Sequence, residues 1–223
     1  MDWDLLVGLG EGAGARVLAA AVVRRYRRTE VIFHEGDAAG AFHLIRSGHI
    51  AIRSTTPQGD TATLAVLGPG GSFGELALVG SGGDRTATAV ALDAVETVAL
   101  SRDQFERLRA EQPGVDRWLV ALLADNVERL SRRLVEALYV GADRRVVRRL
   151  LEVAAVYGGA HPGTVVPLTQ EDLAGLAGTT RPTVNQVLRR LEEQGALLLT
   201  RGRVELVDLA LLRRRAGSER ARS

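Results

Sequence analysis

The chain has 223 residues, 46% of them hydrophobic and 25% charged, an ordinary globular composition with room for one large domain or two modest ones. It has no cysteine, which excludes disulfides, thiolate metal sites and cysteine nucleophiles, and no run of about 18 apolar residues that would suggest a membrane span. All 29 basic residues are arginine; residues 1–140 hold 15 of them against 18 acidic side chains and residues 141–223 hold 14 against 9, so a slightly acidic front precedes a basic back suited to a polyanion.

In chain order, Met1–Gly14 carries Asp2, Asp4 and Glu11 and no basic stretch, which argues against a secretory leader and for a cytoplasmic protein. Residues 1–25 read as a leading helix, from Leu5, Leu6, Leu9 and the run Val17–Val23. From Arg27 to Leu100 short apolar or alternating runs recur: Val31–Phe33, Phe42–Ile45, His49–Ile52, Ala62–Val66, Thr86–Val90 and Val95–Ala99. Turn signals such as Glu35-Gly36-Asp37, Pro57-Gln58-Gly59 and Gly68-Pro69-Gly70-Gly71 separate them, the pattern of a β sandwich or barrel. Ser101-Arg102-Asp103-Gln104 is a capping box opening a short helix that Pro113 and Gly114 end. Residues 115–139 form one long helix in which Trp118, Leu119, Leu122, Leu123, Val127, Leu130, Leu134 and Leu138 fall three or four apart. That stripe suits a two-stranded dimer seam; packing on the β domain is the other reading. Gly141-Ala142-Asp143 breaks the helix at a domain boundary near residue 140, with Asp143 as N-cap of a helix over 144–157. A loop follows at Gly158–Thr164, and Arg213–Ser223 reads as a frayed arginine-rich tail.

The segment after the loop has the signals of a helix-turn-helix. Thr169 caps a first helix whose acids Glu171 and Asp172 complement its dipole, and Gly178 closes it. A second helix, Thr179–Glu193, turns Val184, Val187, Leu188 and Leu191 inward. Two short strands around Arg201-Gly202-Arg203 make a hairpin wing. Such a unit lays its second helix in the major groove of double-stranded DNA. Thr180, Arg181, Thr183, Asn185, Gln186, Arg189 and Arg190 are then exposed toward it. Arg181 is the expected guanine reader, by its planar fork, and Gln186 suits adenine. Thr169, Thr179, Arg201 and Arg203 suit phosphate contacts, which position without specifying.

In the front half, Gly70-Gly71-Ser72-Phe73-Gly74-Glu75-Leu76-Ala77-Leu78 followed by Asp84-Arg85-Thr86-Ala87 has the parts of an anion pocket. Glycines admit close backbone approach, and a short helix from Gly74 aims free amides at a phosphate. Arg85 supplies charge and paired donors, Thr86 a hydroxyl, and Glu75 an acceptor for a sugar hydroxyl.

Phe73–Leu78 with Arg85-Thr86-Ala87 resembles the phosphate-binding cassette of cyclic-nucleotide-binding domains. The glycine-bearing strand pairs Val31–Asp37 and Phe42–Ile50 match the same fold. Cassette, long helix and winged helix in this order resemble the cyclic-AMP receptor/FNR superfamily of bacterial regulators, over residues 25–212. The resemblance implies an α+β chain: a β jelly-roll cyclic-nucleotide-binding domain (1–114), a long dimerisation helix (115–140) and a C-terminal winged helix-turn-helix (141–223). It implies cyclic AMP as effector, with cyclic GMP or no ligand as alternatives, and Ser72, Phe73, Gly74, Glu75, Leu76, Arg85 and Thr86 around its phosphate and ribose. Leu130 and Ser131 lie where family members meet the purine, although Leu130 replaces a frequent threonine. Double-stranded DNA and a second copy joined through the 115–140 helix are the implied partners, and the Tyr157–Gly163 loop lies where family activators touch RNA polymerase. Pro182 and Gln186 depart from the best-known recognition helix, so the operator should differ. The missing cysteines set the chain apart from iron–sulfur relatives, and His34, His43, His49 and His161 match no haem-ligand position. The resemblance thus implies a regulator with no metal and no enzymatic activity; a regulator of the same fold that needs no ligand, or another one, is the alternative.

Overall fold

A computed structural model describes residues 12–55, 59, 61–79, 83–112 and 114–217. Helix α1 (Ala13–Ala20) gives way after one residue to strand β1 (Val22–Tyr26). The expected helix through residue 25 is therefore cut short: Val22 and Val23 are β-branched and pair with Ala99 and Val98. Leu5, Leu6 and Leu9 lie outside the described residues.

The strands that follow are β2 (Val31–Phe33), β3 (Ala41–Ser47), β4 (Ile50–Thr55), β5 (Thr61–Leu67), β6 (Ser72–Phe73), β7 (Thr88–Ala91) and β8 (Val95–Ser101). Every strand run in the sequence reappears, Val31–Phe33 with the same ends and the others with shifted ones; β1 and the two-residue β6 are additional. They form two four-stranded antiparallel sheets, β1-β8-β3-β6 and β2-β7-β4-β5. Ile45, Phe73 and Val95 of the first sheet and Ile50, Ala89 and Ala91 of the second share one buried core, the packing of a β-roll.

Ser101 caps α2 (Arg102–Glu111) as the sequence indicates: its hydroxyl accepts from the Gln104 amide at 3.2 Å, and its own amide donates to Gln104 Oε1 at 2.8 Å. Helix α3 (Gly114–Tyr139) divides the apolar stripe in two. Trp118, Leu119 and Leu122 are buried with Phe42 and Leu100 of the roll, the Trp118 ring edge-on to Phe42 at 5.8 Å. Val127, Leu130, Leu134 and Leu138 are 58–65% exposed. The packing reading of the stripe thus holds for the first half of the helix, and the second half is left uncovered in the single chain.

Helix α4 (Ala142–Val156) is capped by Gly141, so Asp143 falls inside its first turn and is not the N-cap. Instead it pairs with Arg190 at 3.0 Å. After the 158–164 turn come β9 (Val165–Val166), α5 (Gln170–Ala177), α6 (Arg181–Glu193), β10 (Leu197–Thr200), β11 (Arg203–Leu206) and α7 (Leu209–Ala216), with a β10-β11-β9 sheet as the wing. The arginine run is thus no frayed tail over its first part: Asp208 caps α7, and Arg213–Arg215 occupy its last turn, where cations complement the helix dipole.

The described residues fall into two compact units, one up to residue 54 with 67–131, the other comprising those of 55–66 with 132–217. Within the second, Thr63 Oγ1 donates to Asp172 at 2.8 Å. Arg145 donates to the Val140 carbonyl at 2.6 Å, Ala177 at 2.8 Å and Gly178 at 2.9 Å, tying the C-terminal ends of α3 and α5 with one cation. Buried Arg149 is neutralised by Glu136 of α3 and Glu152 of α4. Among the described residues no helix is long and apolar enough to cross a membrane.

Candidate functional site

The loop after β6 is shaped by Gly74, whose φ of 78° is a left-handed value. A Cβ at this position would lie 2.6 Å from Arg85 Nη1 and 3.0 Å from the Ala41 carbonyl. Glu75–Leu78 then form one 3-10 turn, as the sequence suggests for a short helix starting here. Arg85 is held against this loop by its own backbone: its amide donates to the Asp37 carbonyl at 2.7 Å and its carbonyl accepts from Gly36 at 2.8 Å.

The Arg85 side chain points inward and is buried. Nη2 donates to the Ala41 carbonyl at 2.8 Å, and the guanidinium carbon sits 3.9 Å from the centre of the Phe33 ring. Nε is buried with no partner. Burial lowers the Arg85 pKa from its ordinary value, while the nearby charges of Asp37 and Glu75 oppose that shift. A guanidinium does not give up its proton in a protein, so the site contains a desolvated cation with an unused donor and no ion pair among the described residues. That arrangement fits a phosphate group.

Glu75 accepts from the Asn126 side-chain amide of α3 at 3.1 Å, and Asn126 in turn accepts from Arg129 at 3.0 Å. Asn126 and Phe33 are site residues that the motif reading missed. The signal for Asn126 was a lone amide at a stripe position, one turn past Leu122. Ser72 and Gly74 are half-buried, Leu76 and Thr86 exposed. Phe73 is buried and stacked on His43 at 4.8 Å, so its ring serves the core. Leu130 and Ser131 are exposed on α3, one turn beyond Asn126. His43 bonds Thr97 at 3.2 Å, and burial, with Arg85 and Arg24 nearby, lowers its pKa to about 4, so it is neutral at pH 7. His49 pairs with Asp93 at 2.6 Å.

In the second unit, Thr169 caps α5 in a full box with Asp172, and Gly178 ends it at φ 58°. Thr180 caps α6 by accepting from Thr183, so the helix starts at Arg181 and Thr179 stands outside it. Val184, Val187, Leu188 and Leu191 are buried, as the sequence indicates. A cavity of about 530 Å³ between α6, the start of α5 and the wing brings Thr169, Arg181, Arg201 and Arg203 together. Asn185 accepts from Gln170 at 3.3 Å and Arg189 pairs with Glu192 at 3.0 Å; Gln186 is exposed. Arg190 is turned toward α4 by Asp143, which takes it away from the expected base-reading group.

Residues 23–112 match the cyclic nucleotide-binding domain model and residues 144–215 the Crp-like helix-turn-helix domain model. The chain is 36% identical to the cyclic AMP receptor protein of Thermus thermophilus, over 85% of each chain. It is 30% identical to the CRP-like cAMP-activated global transcriptional regulator of Mycobacterium tuberculosis, over 86% of each. In fold it is similar to the c-di-GMP responsive global regulator CLP of Xanthomonas campestris, with a TM-score of 0.75 at 23% identity, covering 89% of this chain and 100% of that one. With a nucleotide-binding roll followed by a winged helix-turn-helix along nearly its whole length, the chain belongs to the CRP/FNR family of DNA-binding transcription regulators.

Proposed function

We propose that this regulator works in the cytoplasm as a homodimer that binds a pseudo-palindromic operator when cyclic AMP occupies the roll. Residues 1–114 sense the ligand, 115–140 dimerise and 141–223 bind DNA. The observation that carries the ligand reading is Arg85: a buried cation whose Nε lacks a partner, beside Gly74 and Glu75. Arg85 and the loop amides hold the cyclic phosphate, Thr86 supports it, and Glu75 accepts from the ribose hydroxyl. Leu130 and Ser131 meet the purine.

The exposed half of α3 supports the dimer. Val120, Val127 and Leu134 recur every seven residues and are 60–65% exposed, the register of a two-stranded seam. Two recognition helices about 34 Å apart then enter successive major grooves. Ligand and operator each favour the same conformer, so each tightens the other by one factor.

Calorimetry of the full chain with cyclic AMP and with cyclic GMP tests the effector. Tighter binding of cyclic AMP is expected; no heat with either nucleotide overturns the ligand reading. Sedimentation of Leu134→Glu tests the seam: a monomer is expected, and an unchanged dimer sinks it.

A further inference from the structure

Away from the DNA groove, the second unit holds another cavity, of about 250 Å³, between the first turn of α4, the last turns of α6 and the end of α7. Four arginines, Arg144, Arg190, Arg214 and Arg215, line it against one acid, Asp143. Asp143 is spent on Arg190 at 3.0 Å, and Arg215 donates to the neutral Gln194 amide oxygen at 3.0 Å. The side chains of Arg144 and Arg214 have no hydrogen bond or ion pair among the described residues.

Four cations against one anion in so small a space repel one another unless a counter-anion joins them. The position of Arg144 sharpens this. It lies in the first turn of α4, the positive end of the helix, where a cation is unfavourable. The side chain of its neighbour Arg145 offsets that cost with four carbonyl partners; that of Arg144 has none among the described residues. A local conflict of this kind, with no gain to the fold, marks a place shaped for something else.

The cavity is separate from the base-reading end of α6. Arg181 and Arg190 are nine residues apart, about 13 Å along a helix. They also face different flanks: Leu188 lines the DNA groove, whereas Val187 and Leu191 floor this cavity. Guanidinium forks match phosphate oxygens in pairs, which separate arginines around a concave wall exploit better than a flat patch.

We infer that this cavity binds clustered phosphate charge. The source is either a free oligophosphate or the backbone of DNA that runs past the recognition helix. The probe for the first is inorganic pyrophosphate, titrated into the full-length Arg85→Ala protein so that the roll takes no part. Binding is expected, weakened at least tenfold when Arg144→Ala and Arg214→Ala are added. Both side chains are exposed, and thermal melts establish that the variant is folded. For the second source, the salt dependence of duplex binding is compared between the natural chain and the Arg144→Ala/Arg214→Ala variant. A log–log slope smaller by about 2 identifies the backbone as the source. Pyrophosphate binding that ignores the two substitutions, or its absence together with an unchanged slope, overturns the inference.

Discussion

The side-chain amide of Asn126 donates to the Glu75 carboxylate at 3.1 Å, joining the nucleotide loop to the long helix through one hydrogen bond. A ligand hydroxyl that takes hold of Glu75 therefore acts on a group already tied to α3. A bond to a charged acceptor contributes about 1.5–3 kcal/mol. Asn126→Ala is expected to weaken cyclic AMP binding about tenfold and to reduce the factor by which operator DNA tightens it. Calorimetry with and without a selected duplex measures both. An unchanged coupling factor refutes the role of this bond, whatever happens to affinity.

Arg85 and Gly74 make a paired prediction. Arg85→Ala removes the cation and is expected to weaken cyclic AMP binding by ten- to a hundredfold or more, at a loss of about 1.5–3 kcal/mol for its charge-assisted bonds. Gly74→Ala removes no donor, but its methyl group falls on the guanidinium at 2.6 Å and demands a left-handed φ from alanine. It should lower affinity in the same direction by displacing Arg85. Circular dichroism keeps loss of binding apart from loss of fold, and full affinity in folded Gly74→Ala contradicts the packing described.

His43 gives the roll an acid-sensitive element. In the folded chain it protonates only near pH 4, because the ring is buried, with Arg85 and Arg24 nearby; in the unfolded chain it does so near 6.5. Between those values the unfolded chain binds the extra proton. The stability this group contributes is therefore complete above about pH 6.5 and is lost as pH falls toward 4, by up to about 3 kcal/mol. Urea melts at pH 7 and pH 4.5 should show the loss, and His43→Phe, which stays aromatic against Phe73, should flatten it. An equally steep loss in the variant assigns the acid sensitivity to other groups.

What was legible in the sequence was local. The Ser101–Gln104 box, Gly178 at the end of α5 and the buried four of α6 are set by neighbours within one or two turns, and all stand where their residue types put them. The glycine-rich cassette was legible because Gly74 and Arg85 are only eleven residues apart. Arg145 was not: its partners Ala177 and Gly178 are carbonyls more than thirty residues away, and a carbonyl has no residue type. Val22 and Val23 were misread because strand pairing with Val98 and Ala99 outweighs a helical run that local sequence favours. Asp143 was misplaced because Gly141 takes the cap, leaving the carboxylate to Arg190, which no spacing rule connects to it.

Arg181 and Arg203 line the same groove, yet they should fail differently when removed. Arg181 begins α6 with Pro182 behind it, at the end of the helix that enters a major groove first, and no other side chain of the described residues holds its guanidinium. Its fork suits the O6 and N7 edge of guanine, so Arg181→Ala should lower affinity by about 1–3 kcal/mol for the preferred base and leave all four bases nearly equal at that position. Arg203 opens β11 beside the Arg201-Gly202 turn, which in the proposed arrangement faces the DNA backbone. Arg203→Ala should weaken every sequence alike and reduce the salt slope by about 1. Selection from random duplexes followed by gel shifts over a salt series separates the two patterns. If Arg203→Ala changes the preferred sequence while Arg181→Ala changes only the slope, the wing reads bases and α6 positions the domain, the reverse of the arrangement proposed.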